Sequence, residues 1–226
     1  MRLHIAALFT QDAYGRMMRV NEANGARASR LFVGRTREGT QWCVRDDVTD
    51  PELLREVRSL VAGEPRGEPA LDPVPSPAPY ESVLARQSPI ERVDRGPAYI
   101  CQPTIVPDPR AVRVTEANAA ILQRYLSAWS GDVATAQPMF AIAINGDAVA
   151  ICASVRITPE AHEAGVETTP SYRGQGHAGA VVSAWATAVR ETGAEPLYST
   201  SWSNTASQAV ARKLGLRLFG SDYQIA

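Results

Sequence analysis

The clearest chemistry in this sequence lies in residues 173–178, which read Arg-Gly-Gln-Gly-His-Ala. They fall between a predicted strand and a predicted helix, and the small residues among them let the backbone pass close to a ligand. The N–H groups of such a turn and of the first helical turn point at one spot, where the helix dipole favours an anion. The spacing therefore indicates a cradle for a pyrophosphate group.

This segment fits neither of two familiar phosphate-binding motifs. It is not the dinucleotide fingerprint, because its glycines have the wrong spacing and no acidic residue lies about 20 positions on at a second strand end. It is not a P-loop, because the Lys-Ser/Thr pair is missing. An ordinary Gly-rich turn between a strand and a helix remains the alternative to a cradle.

The elements around the segment predict a mixed sheet covered by helices. Asn145-Gly146-Asp147 lies between two apolar runs, which is the strongest short-range signal for a hairpin. Periodicity and turn residues place the other elements. These are strands at 98–102, 111–115, 161–168, 195–202 and 216–225, and helices at 119–126, 177–191 and 205–214.

The N-terminal part predicts a small α+β unit. We expect a strand at 3–9, a hairpin at 31–36 and 40–45, and a helix that begins with the capping pattern at 49–52. Residues 14–28 are predicted as loop with one helical turn. Six prolines between 63 and 79 predict extended backbone rather than helix. We thus predict an N-terminal unit at 1–62, a linker and connecting segment at 63–97, and a C-terminal domain at 98–226.

Composition argues against several classes of protein. The 226 residues include 23 Lys and Arg against 24 Asp and Glu, a balance that disfavours dedicated nucleic-acid binding. No stretch approaches the roughly 18–20 apolar residues of a spanning helix, and we recognise no signal peptide, so we predict a cytoplasmic protein without a membrane partner. Three scattered cysteines and three histidines indicate neither a disulfide framework nor a metal site.

Features of the C-terminal part, taken in order, resemble one superfamily. Residues 173–178 match the pattern (Gln/Arg)-x-x-Gly-x-(Gly/Ala), residues 166–173 resemble the end of a strand that runs into a Pro-containing turn, and Asn204 precedes Leu-Gly-Leu at 214–216. This combination resembles the GNAT superfamily of acyl-CoA-dependent N-acyltransferases over about residues 98–226. The N-terminal part resembles, more loosely, an extension found in a bacterial subgroup of these proteins.

The resemblance implies a GNAT-like splayed mixed β-sheet of the α+β or α/β type, flanked by helices. Acetyl-CoA would lie between the fourth and fifth strands as a co-substrate, with its pantetheine paired to strand backbone and its pyrophosphate on the cradle. No metal is implied. The residues assigned to this cofactor are Val166, Thr168, Arg173, Gly174, Gln175, Gly176, His177, Ala178, Asn204 and Ser207.

The resemblance also implies direct attack of an amine on the thioester carbonyl. Glu163 is our candidate base, because residues just upstream of the pantetheine-binding stretch face the gap in this superfamily, and a desolvated carboxylate has a raised pKa. Glu167 has the same parity on the strand and is the alternative, and a solvated Glu163 without a catalytic role also stays open. We expect His162 to be structural or surface-exposed.

At the position of the usual general acid, which protonates the leaving thiolate, this sequence differs from the superfamily pattern. Many members use a Tyr four residues before the Gly of Leu-Gly, and Ala211 occupies that place here. Ser207, Tyr198 and Tyr223 are the candidate substitutes, and water is a further option.

We therefore predict an N-acetyltransferase that acts on the primary amine of a small molecule in a ternary complex. The near-neutral charge favours a small acceptor over a basic protein tail or a nucleic acid. A protein N-acetyltransferase, a catalytically silent acyl-CoA-binding module and a peptide- or nucleic-acid-binding adaptor stay open as alternatives, and so does a homodimer. The N-terminal unit is expected to cover the acceptor side and to help define substrate choice.

Overall fold

The computed structural model describes residues 1–22, 25–67 and 75–226, which form two compact units. The first unit contains Met1–Tyr99, Ser199–Asn204 and Leu218–Ala226, and the second contains Ile100–Tyr198 and Thr205–Arg217. The first unit thus takes in two segments from the region predicted as the C-terminal domain. The domain boundaries at 62 and 97 stay a prediction, and residues 68–74 of the predicted linker lie outside the described residues.

The elements of the described residues are as follows in chain order. They are α1 (Arg2–Leu8), β1 (Phe9–Gln11), β2 (Met17–Val20), β3 (Leu31–Thr36), β4 (Gly39–Val44), α2 (Pro51–Ala62), α3 (Ala78–Ala85), β5 (Val93–Ile100), β6 (Val112–Arg113), β7 (Met139–Ile144), β8 (Asp147–Ile157), β9 (Ala161–Thr168), α4 (His177–Glu191), β10 (Glu195–Ser199), α5 (Thr205–Lys213) and β11 (Arg217–Ile225). Three 3₁₀ helices lie at Glu116–Leu122, Ser127–Asp132 and Pro170–Tyr172.

The first unit is built on a sheet with the strand order β4-β3-β11-β5. The predicted hairpin of β3 and β4 is confirmed, and β11, from the end of the chain, pairs antiparallel with β3. Helix α2 begins where the capping pattern predicts. Its N-cap is Asp50, whose carboxylate accepts the backbone N–H groups of Glu52 and Leu53.

Two predictions for the N-terminal part are wrong. Residues 3–9, predicted as a strand, form α1, because a short apolar run satisfies a buried strand and a buried helix face equally. Residues 14–28, predicted as loop, contain β2, which pairs with β1. In addition, α3 begins inside the proline-rich stretch, since Pro77 and Pro79 occupy its N-cap and first turn, where no helical N–H bond is lost.

A buried polar network ties the first unit together. Arg35 is fully buried, and its guanidinium donates to both carboxylate oxygens of Glu64 at 2.6 and 2.8 Å. The hydroxyl groups of Tyr80 and Tyr223 donate to Glu64 Oε1 at 2.8 and 3.0 Å. Burial alone would raise the pKa of Glu64, but these hydrogen bonds and the Arg35 charge lower it.

The second unit is built on a mixed sheet with the order β10-β9-β8-β7-β6. Only β9 and β10 are parallel, and the other neighbours are antiparallel. The hairpin of β7 and β8 is confirmed: Asn145 and Gly146 have φ of 51° and 88°, which a type I′ turn requires. Helix α4 packs on β7, β8 and β9. The predicted fold class, a mixed sheet flanked by helices, is confirmed.

The other face of this sheet is covered by irregular chain. Residues 119–126, predicted as an α-helix, belong to the first of two 3₁₀ helices and the connection between them. Leu122 and Leu126 pack there against Met139, Ile151 and their buried neighbours. None of the described helices has the length and apolar character needed to cross a membrane.

Candidate active site

Strands β9 and β10 separate part-way along their length. Their pairing covers only Ala161 to Glu163 of β9 against Glu195 to Leu197 of β10, although β9 continues to Thr168. Within the second unit, no other described strand pairs with this edge of β9 beyond Glu163. The backbone from 164 to 168 is therefore open on this side to an extended ligand that carries amide groups.

The Gly-rich turn after β9 has the backbone that a phosphate cradle needs. Gly174 and Gly176 have left-handed φ of 78° and 83°, and a Cβ on either would meet nothing within 4 Å. Gly176 is the N-cap residue of α4, so the free N–H groups of the first helical turn follow directly. Arg173 is exposed, and its Nε donates to the Thr168 carbonyl oxygen at 3.1 Å.

Buried polar atoms without partners adjoin the cradle in the sequence. His177 opens α4 with 7% of its surface exposed, and neither ring nitrogen has a hydrogen-bond partner in the described part of the chain. The same holds for the hydroxyl groups of Thr168 and Thr169. Buried polar groups are rarely left unpaired in folded proteins, so these atoms fit a site that a polar ligand completes.

Glu163 lies at the last position before the two strands separate. Its side chain is buried, with 1% exposure, and its cross-strand partner on β8 is Arg156, next to the bulge at Val155. Burial raises the pKa of the Cys101 thiol to about 12, and the charge of Glu163 adds to that rise, which places this carboxylate near Cys101. The structure thus buries Glu163 where the gap begins.

Glu167, the alternative carboxylate, has a different environment. It is exposed, and its Oε2 accepts the indole N–H of Trp129 at 2.7 Å. Trp129 also covers Gly165, where a Cβ would lie 2.9 Å from Trp129 Cη2 and 2.2 Å from Val155 Cγ1. Glu163, Gly165 and Glu167 alternate along β9 and share one face, so Trp129 lies on the face that carries both carboxylates.

His162 is a structural residue, as predicted. The indole N–H of Trp185 donates to Ser154 Oγ at 3.0 Å, and Ser154 Oγ is hydrogen-bonded to His162 Nδ1 at 2.9 Å. Burial lowers the pKa of His162.

Two of the predicted catalytic hydroxyls lie together. Tyr198 on β10 is buried, and its phenolic oxygen is 2.5 Å from Ser207 Oγ on α5. Ala211 lies one helical turn after Ser207 and is fully buried. Asn204 directly precedes α5, at the N-cap position that the sequence predicts, and its backbone N–H donates to Ser201 Oγ at 3.2 Å. Tyr223, the third candidate, belongs to the Glu64 network instead.

The family model for GNAT acetyltransferases matches residues 139–225, from β7 to β11. This match includes the separating strands, the Gly-rich turn and the hydroxyl pair. Residues 139–225 are thus similar to a GNAT acetyltransferase domain. The matched family consists of acetyltransferases, which generally take acetyl-CoA as the acyl donor.

Solved GNAT structures share the fold. An acetyltransferase of the GNAT family from Colwellia psychrerythraea has a TM-score of 0.50 and 13% identity, over 82% of this chain and 75% of its own. A protein assigned to the GNAT acetyltransferases from Novosphingobium aromaticivorans has a TM-score of 0.51 and 23% identity, over 60% of this chain. The match spans 65% of that second protein, slightly less than two thirds of its length. No curated protein matches this sequence.

Sequence reasoning missed two residues of this site. Trp129 was not singled out, because a tryptophan in a polar stretch carries no signal of what it covers; the glycine at 165, two residues from each carboxylate, was the available hint. Arg156 opposite Glu163 was missed because the bulge in β8 shifts the pairing by one residue. The described residues contain no group of three or more potential metal ligands.

Proposed function

We propose that this protein transfers an acetyl group from acetyl-CoA to the primary amine of a small molecule. The observation that carries the proposal is the open edge of β9 beyond Glu163, which leads directly into the Gly-rich turn. The pantetheine arm is extended and carries two amides, so it suits an unpaired strand edge. Val166 and Thr168 would supply that edge, and the amides of Gly174 to Ala178 would receive the pyrophosphate.

The cradle residues support the donor assignment. Arg173 adds a positive charge at the surface, and Gln175 is exposed beside the two glycines. The unpartnered nitrogens of His177 and the hydroxyl of Thr168 offer polar contacts that a bound donor would complete. Asn204 and Ser207 would hold the pantetheine arm from the start of α5.

Catalysis would require two proton transfers at separate residues, one from the attacking amine and one to the leaving thiolate. Glu163 accepts the proton of the attacking amine, since its burial at the start of the gap strengthens a carboxylate as a base. A backbone N–H of β9 stabilises the negative charge that develops on the carbonyl oxygen. The hydroxyl pair of Tyr198 and Ser207 delivers a proton to the leaving thiolate, in place of the tyrosine that Ala211 replaces.

The choice of acceptor follows from the net charge. A basic protein tail would call for a strongly acidic groove and a nucleic acid for a basic one, and a net charge of -1 provides neither in bulk. We therefore propose a small amine as acceptor, with a protein amine as the alternative. We also propose a cytoplasmic location, and we keep a homodimer open.

Two measurements test this function. Calorimetric titration with acetyl-CoA should show saturable binding, and a library of small amines should contain at least one that releases CoA, detected with a thiol reagent. Absence of acetyl-CoA binding would refute the donor assignment. Binding without CoA release for any amine would favour a catalytically silent module, which the buried Ala211 at the usual tyrosine position makes the second candidate. Turnover with protein fractions alone would overturn the small acceptor.

A further inference from the structure

Trp129 packs over Gly165, the residue midway between the two glutamates of β9. Its indole ring covers Gly165, and its N–H donates to Glu167 Oε2 at 2.7 Å. Gly165 lies two residues from Glu163 and two residues from Glu167, and all three share one face of the strand. An aromatic ring and an oriented carboxylate thus lie beside the position assigned to the base.

Glu167 keeps its charge available to a ligand. Glu167 is exposed, and only its Oε2 accepts a hydrogen bond from the indole N–H of Trp129. Its cross-strand partner is Ile151, a fully buried apolar residue. Among the described residues, no basic side chain forms an ion pair with Glu167, and Arg124, in the connection between the first two 3₁₀ helices, pairs with Asp147 at 3.0 Å.

We propose that Trp129 and Glu167 form a subsite for a second cationic group of the acceptor. This inference rests on the proposed function, and it narrows the acceptor to a linear amine with a second ammonium group. The ammonium group would lie against the indole ring and pair with the Glu167 carboxylate. Glu163 and Glu167 are four positions apart, or about 13 Å along the strand, so one amino group reacts near Glu163 while the other is held at Glu167.

Two amines of equal chain length isolate the second charge. Octamethylenediamine and octylamine differ by one terminal amino group, and kcat/KM for CoA release is measured with each. The variant Glu167→Gln removes the charge but keeps a carbonyl oxygen that accepts the Trp129 N–H. We expect Glu167→Gln to lower kcat/KM for the diamine about three- to fivefold and to leave octylamine unchanged.

Trp129→Phe and Glu191→Gln complete the set. Trp129→Phe keeps an aromatic ring and loses the N–H that orients Glu167, so a smaller loss confined to the diamine is expected. Glu191 is an exposed carboxylate at the end of α4, and Glu191→Gln should change neither amine. An equal loss for both amines in Glu167→Gln, or no loss for the diamine, would overturn the subsite.

A binding measurement separates this inference from the proposed function. Each amine is titrated calorimetrically into the wild type and Glu167→Gln in the presence of CoA, which requires no turnover. Tighter binding of the diamine than of octylamine, lost in Glu167→Gln, supports the subsite even if no amine is acetylated, in which case the proposed activity alone fails. Equal binding of the two amines by the wild type overturns the subsite, whatever the enzyme acetylates.

Discussion

Tyr198 and Ser207 form a hydroxyl pair, with their oxygens 2.5 Å apart. Tyr198 comes from β10 and Ser207 from the first turn of α5, so a strand and a helix meet at this point. The Tyr198 hydroxyl also lies 3.3 Å from the carbonyl oxygen of Ser207. A phenol therefore reaches α5 from the neighbouring strand, although α5 itself carries alanine at position 211.

Tyr198→Phe should lower kcat for CoA release by about 100- to 10,000-fold, the range for loss of a general acid. The ring and its packing remain, so the dissociation constant for acetyl-CoA should stay near that of the wild type. Steady-state kinetics and calorimetry measure the two effects. Ser203→Ala, which removes an exposed hydroxyl just before α5, is the control. An unchanged kcat would leave water as the proton donor.

Gly176→Val should abolish measurable acetyl-CoA binding. A side chain there enters the open space beside the turn, which we assign to the pyrophosphate. The left-handed φ of 83° adds backbone strain, so Gly193→Val is the matched control: Gly193, just beyond the other end of α4, has φ of 88° and equally open space. Both variants should lose similar stability, and only Gly176→Val should lose the ligand. Normal binding by Gly176→Val would place the pyrophosphate elsewhere.

Glu163→Gln should lower kcat by about 100- to 10,000-fold with little change in the apparent KM for acetyl-CoA, as expected for a group that moves a proton without holding the donor. The same assay on Glu167→Gln with a monoamine should give wild-type turnover. The reverse pattern would assign the base to Glu167, and wild-type rates in both variants would assign it to water.

Glu64→Ala should destabilise the protein by about 3–5 kcal/mol, because it leaves the Arg35 guanidinium buried without its counter-charge. Glu56→Ala is the control, since Glu56 pairs with Arg86 at 2.8 Å on the surface and should cost at most about 1 kcal/mol. Urea unfolding monitored by circular dichroism gives both free energies. Equal losses would show that the Glu64 network adds nothing beyond a surface pair.

His162 should make stability depend on pH in a defined direction. Burial lowers its pKa in the folded state, so the unfolded chain binds a proton where the folded chain does not. The contribution of His162 to the free energy of unfolding should therefore be complete above the unfolded pKa of about 6.5. It should decrease as the pH falls toward the folded pKa. Urea unfolding between about pH 7.5 and about pH 5.5 measures the slope, which should be smaller in His162→Gln. The same slope in both proteins would contradict this assignment.

Local signals in the sequence predicted a large part of the second unit. The turn at Asn145 and Gly146, the bounds of β9 and the start of α4 follow from residues within a few positions of each other, because turn and cap preferences are set by local backbone sterics and hydrogen bonding. The apolar run at 3–9 shows the limit of this reasoning. Its residues suit a buried strand or a buried helix, and only the packing of α1 in the first unit decides between them.

By itself, the sequence determined the order of most strands and helices and the position of the Gly-rich turn, and it indicated the resemblance to GNAT proteins. The tertiary structure decided how far β9 and β10 pair, that β11 joins β3, and which groups meet at the site. Arg35 and Tyr223 are 188 positions apart, and Trp129 and Glu167 are 38 apart. Contacts at such separations depend on how whole elements pack, because no local preference of the chain brings their side chains together.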